Sequence, residues 1–270
     1  MTLKTILALA VCAGAMTFTS CSKDDDEPVI PENAARFTIA NLTIENVDPD
    51  NKTDVYEVDF SDNDIMGVHV LTGAYPNFTY DPMNLMYKVS DKGKSLSATS
   101  EHVILKQDKV SVLAYYPYKT PYDPAYELKV FSVQKDQSDY ENFKKSNFMN
   151  AMVPGCSLDN TIINLVFSPR TALVFAHYNG DDAKAIKQMT ITANTKSSMS
   201  GGASDLAKVS MYKYKTVSDK EVIWAAFLAE QTFDADAVIE YSDGSKTSQS
   251  NAAAGLTIKG GKVNSIQVKK

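Results

Sequence analysis

The apolar run "VIWAAFLA", residues 222–229, decides the fold class of this chain. A membrane-spanning helix needs about 20 apolar residues, so this run is too short to cross a bilayer. A short, unbroken run rich in β-branched and aromatic residues is typical of a strand that is buried on both faces. The run therefore predicts a central strand in a sheet that is covered from both sides.

Further short runs on either side of it predict more strands, because Val, Ile, Tyr, Phe and Thr favour a half-buried pleated surface. They are "DVYEVDF" (54–60), "KVSVLAYYPY" (109–118), "YELKVFSV" (126–133), "QMTITAN" (188–194) and "AVIEYSD" (237–243). Asp243-Gly244 and Gly260-Gly261 can supply the positive φ angles of two-residue hairpin turns. Helical periodicity is weak, and its best stretch, residues 138–153, predicts one or two turns. The predicted fold class is all-β, of the β-sandwich type.

The loop "VPGCSLDN", residues 153–160, predicts a boundary between two domains. It carries Pro154-Gly155 and Asp159-Asn160, which are turn signals. About 230 residues follow the N-terminal region, enough for two modest domains. We expect these domains at residues 37–157 and 158–270.

The N-terminus is typical of an exported protein. Lys4 precedes the apolar run "ILALAVCAGAMTF", and small residues lead to Cys21, a pattern that predicts a signal peptide at residues 1–20. The setting of Cys21 resembles a bacterial lipobox, in which this cysteine is acylated and anchors the protein to the outer membrane. The alternative is an ordinary signal peptide with an incidental cysteine. The run "SKDDDE" that follows stays solvated, so residues 21–36 are expected to be a tether.

The charge of the exported chain argues against nucleic acid as a partner. Removing residues 1–20 takes away only Lys4, which leaves 26 of the 27 basic side chains against 33 acidic ones, a net charge of about −7. Nucleic acids require a basic face. Of the three cysteines, Cys12 leaves with the signal and Cys21 is expected to be acylated, so Cys156 should be a small buried thiol without a disulfide partner.

The sequence contains no constellation typical of an enzyme. His69, His102 and His177 lie far apart and lack the spacing of a zinc site. Neither a G-x-S-x-G elbow nor a P-loop occurs. The acidic groups in residues 48–54 and 59–64 depart from the twelve-residue calcium loop, so solvated turns are the better interpretation and calcium the alternative. We expect no catalytic residues, no metal and no cofactor.

Six segments, taken in order, carry a resemblance to a known family. They are "AARFTIANLTIENV" (34–47); Asp64, Gly67 and Val68; "VSVLAYYPY" (110–118); Gln137, Tyr140, Phe148, Met149 and Ala151; "INLVFSPRTALVFAHY" (163–178); and "LTIKGGKVNSIQVKK" (256–270). With them the chain resembles the fimbrillin family, the subunits of bacterial type V pili and their surface-lipoprotein relatives. In that family the fifth segment opens the second domain, and the sixth forms a final hairpin.

The resemblance implies two tandem transthyretin-like β-sandwiches with few short helices, and assembly by donor-strand exchange. In that scheme a protease removes the first strand of the lipidated precursor, and a strand of another subunit fills the groove. The expected strand-exchange interface is Phe37, Ile39, Leu42, Ile44, Ile258, Val263, Ile266 and Val268. The apolar spacing in the first strand changes phase near Asn41, which predicts a bulge or bend.

Processing needs an exposed basic residue after that first strand. The two arginines are Arg36, which precedes the strand, and Arg170, which lies far beyond it. Lys52, in the polar stretch "DPDNKTD", follows the strand and is our expected cleavage site, with Arg36 as the alternative. Cleavage at Arg36 would release only the tether.

We therefore expect a fimbrial subunit, or a pilus-associated surface lipoprotein, that serves adhesion. Its partners would be other fimbrial subunits, the outer membrane through the lipid, and a host or bacterial surface receptor. The alternative is a surface lipoprotein that does not polymerise and binds glycan through the tyrosine-rich segment from Tyr115 to Tyr126. A hydrolase is the third class, for which no residues are found.

Overall fold

The structure is a computed structural model that describes residues 29–73, 79–120, 130–198 and 205–269. Within these ranges it contains 21 β-strands, the six-residue helix α1 (Tyr140–Lys145) and a 3-10 turn (Ala183–Ala185). The predicted all-β class is therefore confirmed. None of the helical segments in this part of the chain is long and apolar enough to span a bilayer.

The first sheet has nine strands. Numbered along the chain, they are β1 (Arg36–Ile39), β4 (Ile65–Thr72), β5 (Thr79–Tyr80), β6 (Leu85–Ser90), β7 (Ser95–Ala98), β8 (Val110–Tyr116), β10 (Met149–Cys156), β11 (Ile162–Leu165) and β12 (Ser168–Pro169). Their spatial order is β11–β1–β7–β6–β4–β8–β10–β12, and β5 pairs with β4.

Side chains from both ends of this sheet meet in one apolar core. Exposed and buried residues alternate along β1 and β11, as the period of a strand requires. Phe37 and Leu165 at one end belong to the same cluster as Met149 near the other end. The sheet therefore folds over on itself to enclose a first core.

Two four-stranded sheets form the other half. The second sheet has the order β17–β18–β13–β21, with strands Tyr212–Ser218, Glu221–Leu228, Ala172–Asn179 and Val263–Val268 respectively. The third sheet has the order β16–β14–β19–β20, with strands Leu206–Ser210, Ile186–Asn194, Gln231–Tyr241 and Lys246–Ile258. Two short pairs complete the fold: β2 (Thr43–Ile44) with β3 (Tyr56–Glu57), and β9 (Val130–Ser132) with β15 (Lys196–Ser198).

The run "VIWAAFLA" forms β18 and is buried from Val222 onward. Side chains on one face, among them Trp224, enter the second core, which lies between the second and third sheets. Side chains on the other face, among them Phe227, enter a separate outer cluster. Because both faces are covered, no polar residue interrupts the run, and the predicted central strand is confirmed.

The outer cluster covers the side of the second sheet that faces away from the third sheet. It consists of Ile44, Tyr56, Val133, Phe143, Leu173, Phe175, Ile223, Ala225, Phe227 and Val263. Helix α1 contributes Phe143, and its N-terminus is capped by Asp139, whose Oδ1 accepts the N–H of Asn142 at 2.9 Å. The predicted helix at 138–153 is thus right for its first part only, because from Met149 the chain pairs with β8 as β10.

A buried ion pair attaches α1 to the first sheet. Lys144 Nζ lies 2.9 Å from Asp64 Oδ2, and both side chains are almost fully buried. Asp64 also accepts the backbone N–H of Ser61 at 2.8 Å and the hydroxyl of Tyr116 at 3.1 Å. Burial, and then the charge of Asp64, raise the pKa of Tyr116 far above its usual range. Removing one partner of such a pair typically costs about 3–5 kcal/mol, since the other charge is left buried.

The two predicted glycine turns have different outcomes. Gly244, with φ of 83°, lies between the antiparallel strands β19 and β20, so the hairpin is confirmed. Its turn is longer than the two residues predicted, because β19 ends at Tyr241 and β20 begins at Lys246. Gly261 has φ of 70°, but it joins β20 of the third sheet to β21 of the second sheet. The predicted final hairpin is therefore wrong, because the chain crosses from β20 to the second sheet, where β21 pairs with β13.

The first sheet extends beyond residue 157. Strands β11 and β12, which the sequence analysis places in the second domain, pair in the first sheet, and Phe167 belongs to the first core. The second core begins at Ala172. Residues 158–169 are thus part of the first sheet, and the domain division at 157/158 stays a prediction.

Gly67 permits a close approach between two neighbouring strands. It lies on β4 opposite Tyr115 of β8, and a Cβ at Gly67 would lie 2.0 Å from Cε1 of the Tyr115 ring. The ring has no free space to move into, since Tyr115 is buried and stacks on His69 at 5.4 Å. Only glycine fits beneath it.

We expect Gly67→Ala to lower the free energy of unfolding by about 1–3 kcal/mol, the usual cost of overpacking. Urea denaturation measures this cost. In a Tyr115→Ala background the same substitution should cost little, because the ring is gone. An undiminished cost in that background would contradict the packing explanation.

His69 makes stability depend on pH. Its side chain is fully buried, Nδ1 accepts the N–H of Asn84 at 2.8 Å, and burial lowers the pKa of His69 to about 4 from 6.5. Between these values the unfolded chain binds a proton that the folded chain does not, so stability decreases as pH falls from about 6.5 to about 4. At about 1.4 kcal/mol per pKa unit, the expected loss is about 3 kcal/mol.

Denaturant unfolding at pH 7.5 and pH 4.5 tests this expectation. The His69→Gln variant keeps an acceptor but does not titrate, so its stability should change less between the two pH values. An equal pH dependence in both proteins would refute the role of His69.

Candidate functional site

Residues 33–47, here called the leading segment, begin as a strand enclosed in the first sheet. β1 pairs in parallel with β11 on one side and antiparallel with β7 on the other. Further backbone hydrogen bonds extend this pairing: Ala35 N–H donates to Val103 O at 2.8 Å, and Ile39 N–H donates to Lys94 O at 2.8 Å. Both edges of this strand are therefore occupied by the rest of the chain.

The predicted apolar residues of this strand fill the first core. Phe37 and Ile39 are 2% and 8% exposed, and Leu42 packs against the same core. Phe37 meets the ring of Tyr87 edge-on, with ring centroids 5.1 Å apart. Each buried side chain of this size contributes about 1.5–3 kcal/mol relative to exposure.

We call the position of one strand between two others a strand slot, and β1 fills the first one, between β7 and β11. After Leu42 the leading segment leaves the first sheet and enters a second strand slot. There, β2 pairs with β3 on one side, and Val47 N–H donates to Val263 O at 2.8 Å on the other. Ile44 is 1% exposed and lies in the outer cluster, while Leu42 lies against the first core. The change of apolar phase near Asn41 therefore marks the transfer between two sheets.

An exposed loop connects the leading segment to β3. Asp48 Oδ1 accepts the N–H of Asp50, and Asn51 Oδ1 accepts the N–H groups of Thr53 and Asp54. Lys52 lies in this loop and is exposed. Arg36, the alternative cleavage site, has an exposed side chain, but its N–H is held by Thr161 O within the β-ladder.

A polar cluster fastens the far end of this loop to the second sheet. Asp54 Oδ2 lies 3.0 Å from His177 Nε2 and also accepts hydrogen bonds from Ser265 Oγ and Asn51 Nδ2. Burial alone would raise the pKa of Asp54, but the hydrogen bonds from Ser265 and Asn51 and the charge of His177 together hold it below its ordinary value. Asn46 of the leading segment joins the cluster through Ser265, at 3.0 Å.

This cluster has the residue types of a hydrolase triad but not the arrangement. A catalytic serine must donate its proton to the imidazole, whereas Ser265 donates to the carboxylate of Asp54. The sequence analysis missed the cluster, because His177 and Ser265 lie 123 and 211 residues from Asp54. Its arrangement is that of a structural fastening.

The predicted C-terminal interface residues are not grouped with Phe37 and Ile39. Ile258, Ile266 and Val268 are buried in the second core, and Val263 is buried in the outer cluster. Strand β21 pairs with β13 along one edge, and the leading segment meets its other edge at Val263. Within the predicted set, Val263 alone has backbone hydrogen bonds with the leading segment, through Glu45 and Val47.

The other predicted residues have the following positions. Cys21 lies outside the described residues. Cys156 is buried, burial raises its pKa, and its thiol donates to Val153 O, so the predicted buried thiol is confirmed. Tyr115 and Tyr116 are also buried, which removes them as sugar-stacking rings, and residues 121–126 lie outside the described ranges.

The histidines and carboxylates do not assemble a metal site in the part of the chain that the structure describes. His69 and His177 lie on β4 and β13, and His102 lies in a loop. Within residues 29–73, 79–120, 130–198 and 205–269, no group of three or more His, Cys, Asp or Glu side chains is placed to hold a metal ion.

The fold recurs in solved bacterial proteins. A candidate cell adhesion protein from Bacteroides ovatus superposes with a TM-score of 0.62 at 14% identity, covering 87% of this chain and 92% of that one. A candidate cell adhesion protein from Bacteroides uniformis gives 0.59 at 14% identity, covering 90% and 95%. A fimbrial protein from Bacteroides ovatus gives 0.53 at 15% identity, covering 89% of this chain and 50% of its own. At such identities the likeness concerns the fold.

A comparison with curated proteins gives no match. The sequence model of a family described as fimbrillin-like, in contrast, matches residues 53–269. This match covers most of the chain, including β3, all strands of the second and third sheets, and every residue of the outer cluster except Ile44. The chain therefore belongs to the fimbrillin-like family.

Proposed function

We propose that this chain is a fimbrial subunit that accepts a strand from another subunit after its leading segment has been removed. The carrying observation is that one short segment fills a strand slot in each of two sheets, yet is joined to the rest of the chain by an exposed loop. A cut in that loop would separate the segment from the body without breaking a core strand.

Lys52 is the proposed cleavage site. It is exposed, and the polar cluster around Asp54 would hold the new N-terminus in place after the cut. Cleavage at Arg36 would leave Phe37 and Ile39 in their core positions, so the first slot would stay filled. Cleavage at Lys52 would therefore open both slots for strand exchange, whereas cleavage at Arg36 would not.

The energy released on refilling the slots would drive assembly. Phe37, Ile39 and Ile44 together contribute about 5–9 kcal/mol of burial, at about 1.5–3 kcal/mol each. A whole domain is stable by about 5–15 kcal/mol. Removing the segment would also leave the backbone edges of β7, β11 and β21 without their present partners. An emptied subunit would thus be marginal and would bind an equivalent strand.

This chain is better suited to accept a strand than to donate its own last one. Donation would require β21 to leave the second sheet, which would expose Val263, Ile266 and Val268. Loss of β21 would expose about as many apolar side chains as loss of the leading segment, and it would open the second core. In a homopolymer the donor strand would be β21 of another copy, given up at this cost, whereas in a heteropolymer it would come from a different subunit.

The lipid anchor and the location complete the proposal. Acylated Cys21 and the acidic tether would hold the precursor at the cell surface as an outer-membrane lipoprotein. Cleavage would release the body into a fimbrium, with adhesion as the outcome. Membership of the fimbrillin-like family supports a surface location.

We expect surface material recovered from cells to begin at Thr53. N-terminal sequencing measures this. Lys52→Gln should leave the chain uncut and unpolymerised, whereas Lys92→Gln, in another exposed turn, should change nothing. A chain that starts at Phe37, or wild-type polymers with an uncut N-terminus, would contradict Lys52 as the site.

We further expect loss of the leading segment to cause assembly. A specific protease site placed in residues 48–53 allows the purified precursor to be cut on demand, and ladders on a mildly denaturing gel report polymers. A synthetic peptide of residues 33–52 should suppress the ladders by filling the slots, and the same peptide with Phe37→Ala and Ile44→Ala should not. A cut protein that stays a compact, soluble monomer without the peptide would refute the proposal.

A further inference from the structure

A concave surface lies beside the processed loop, and one of its residues, Tyr56, is on β3, which pairs with β2 of the leading segment. It is lined by Tyr56, Tyr140, Tyr212 and Tyr214, and is here called the tyrosine cleft. Its volume is about 440 Å³, within the range of small-molecule sites, which is roughly 300–1,000 Å³. The cleft opens on the outer face of the second sheet.

Two of these tyrosines form flat platforms on one strand. Tyr212 and Tyr214 are two residues apart on β17, whose register shifts between Lys213 and Lys215. Both rings pack against the outer cluster, so they face the same side of the sheet. Tyr212 stacks on buried Phe143, with ring centroids 5.1 Å apart and an interplanar angle of 24°. Tyr214 stacks on buried Phe175, with ring centroids 4.8 Å apart and an interplanar angle of 24°. Because a phenylalanine supports one face of each ring, the opposite face is held in a fixed orientation.

The other two tyrosines flank the platforms at an angle. The ring of Tyr56 lies 6.0 Å from that of Tyr214 with a tilt of 58°, and the ring of Tyr140 lies 5.6 Å from that of Tyr212 with a tilt of 47°. Each platform ring thus has a tilted neighbour. The cleft contains two adjacent aromatic positions that are suited to two flat, partly apolar groups in sequence.

Polar groups of both signs surround these rings. Thr53, Glu57 and Lys215 line the cleft with exposed side chains. Asp54 also lines the cleft, but it is buried and its carboxylate is already bound by Ser265, Asn51 and His177. The exposed charges of Glu57 and Lys215 are opposite and offset each other, so the accessible rim suits uncharged hydroxyl groups. The tyrosine hydroxyls add further donors and acceptors.

We infer that the tyrosine cleft binds a neutral glycan, with one sugar ring over Tyr212 and the next over Tyr214. The C–H face of a sugar is apolar and stacks on an aromatic ring, while its hydroxyls reach the polar rim. This site differs from the tyrosine-rich segment that the sequence suggested. It would give the protein a ligand without requiring that it polymerise.

Two other occupants fit the surface less well. A cationic ligand would gain no net attraction, because Lys215 offsets the exposed Glu57 and Asp54 is already bound by Ser265, Asn51 and His177. A strand of a second copy could pair only with the open edge of β17, which carries Lys213 and Lys215, and lysines on edge strands discourage such pairing. A neutral saccharide meets neither obstacle.

Affinity electrophoresis of the uncleaved exported chain tests this inference independently of processing. The gels contain dextran, mannan, xylan, galactan or mixed-linkage β-glucan, and polygalacturonate as the anionic contrast. We expect at least one neutral polysaccharide to retard the protein. Tyr212→Ala and Tyr214→Ala should each weaken binding about tenfold, and Tyr214→Phe should largely keep it.

Val217→Ala is the matched control, because Val217 is exposed on the same strand but does not line the cleft. Urea unfolding of every variant separates lost binding from lost folding. No retardation by any neutral polysaccharide, or retardation that survives both tyrosine substitutions in folded protein, would overturn the inference. It would also be overturned if these variants bound normally but failed to form ladders after cleavage, since the cleft would then be a subunit interface.

Discussion

A strand slot inside a sheet has to be filled, and this requirement governs the arrangement of the whole molecule. An empty slot would expose unpaired N–H and C=O groups on two neighbouring strands, together with an apolar floor, and both are costly in water. Here one slot lies between β7 and β11, and another lies between β3 and β21. The leading segment satisfies both with about a dozen residues.

Filling two slots with one segment links the two halves of the fold. Phe37 completes the first core and Ile44 completes the outer cluster, so the segment contributes to both at once. The cluster of Asp54, His177 and Ser265 then holds the chain on the other side of the exposed loop. Two firmly held ends with a solvated turn between them form an arrangement in which a single cut has a large structural effect.

The outer face of the second sheet serves two purposes through one set of aromatic rings. Phe143 of α1 is buried there against Phe227 of β18, and Phe175 is a buried residue of β13. The same two rings stack on Tyr212 and Tyr214. Stability and the orientation of the platforms thus depend on common contacts. The tyrosines that the sequence suggested, Tyr115 and Tyr116, are as aromatic as the platform residues, but Tyr115 is buried against His69 and Tyr116 is buried against Phe60 in the first core.

The sequence by itself determined the all-β class, the doubly covered strand β18, the hairpin at Gly244 and the buried thiol of Cys156, because these follow from local composition and from the period of burial. The change of apolar spacing near Asn41 was also visible in the sequence. That it marks the transfer of the chain from one sheet to another was not. Only the tertiary structure decided that Leu42 and Ile44 belong to different cores, that β11 lies in the first sheet and that β21 crosses to β13. The physical reason is that an apolar pattern in the sequence shows which side chains leave water but not which partners cover them. Partners can be far apart in the chain, as Asp54 and Ser265 are, at 211 residues.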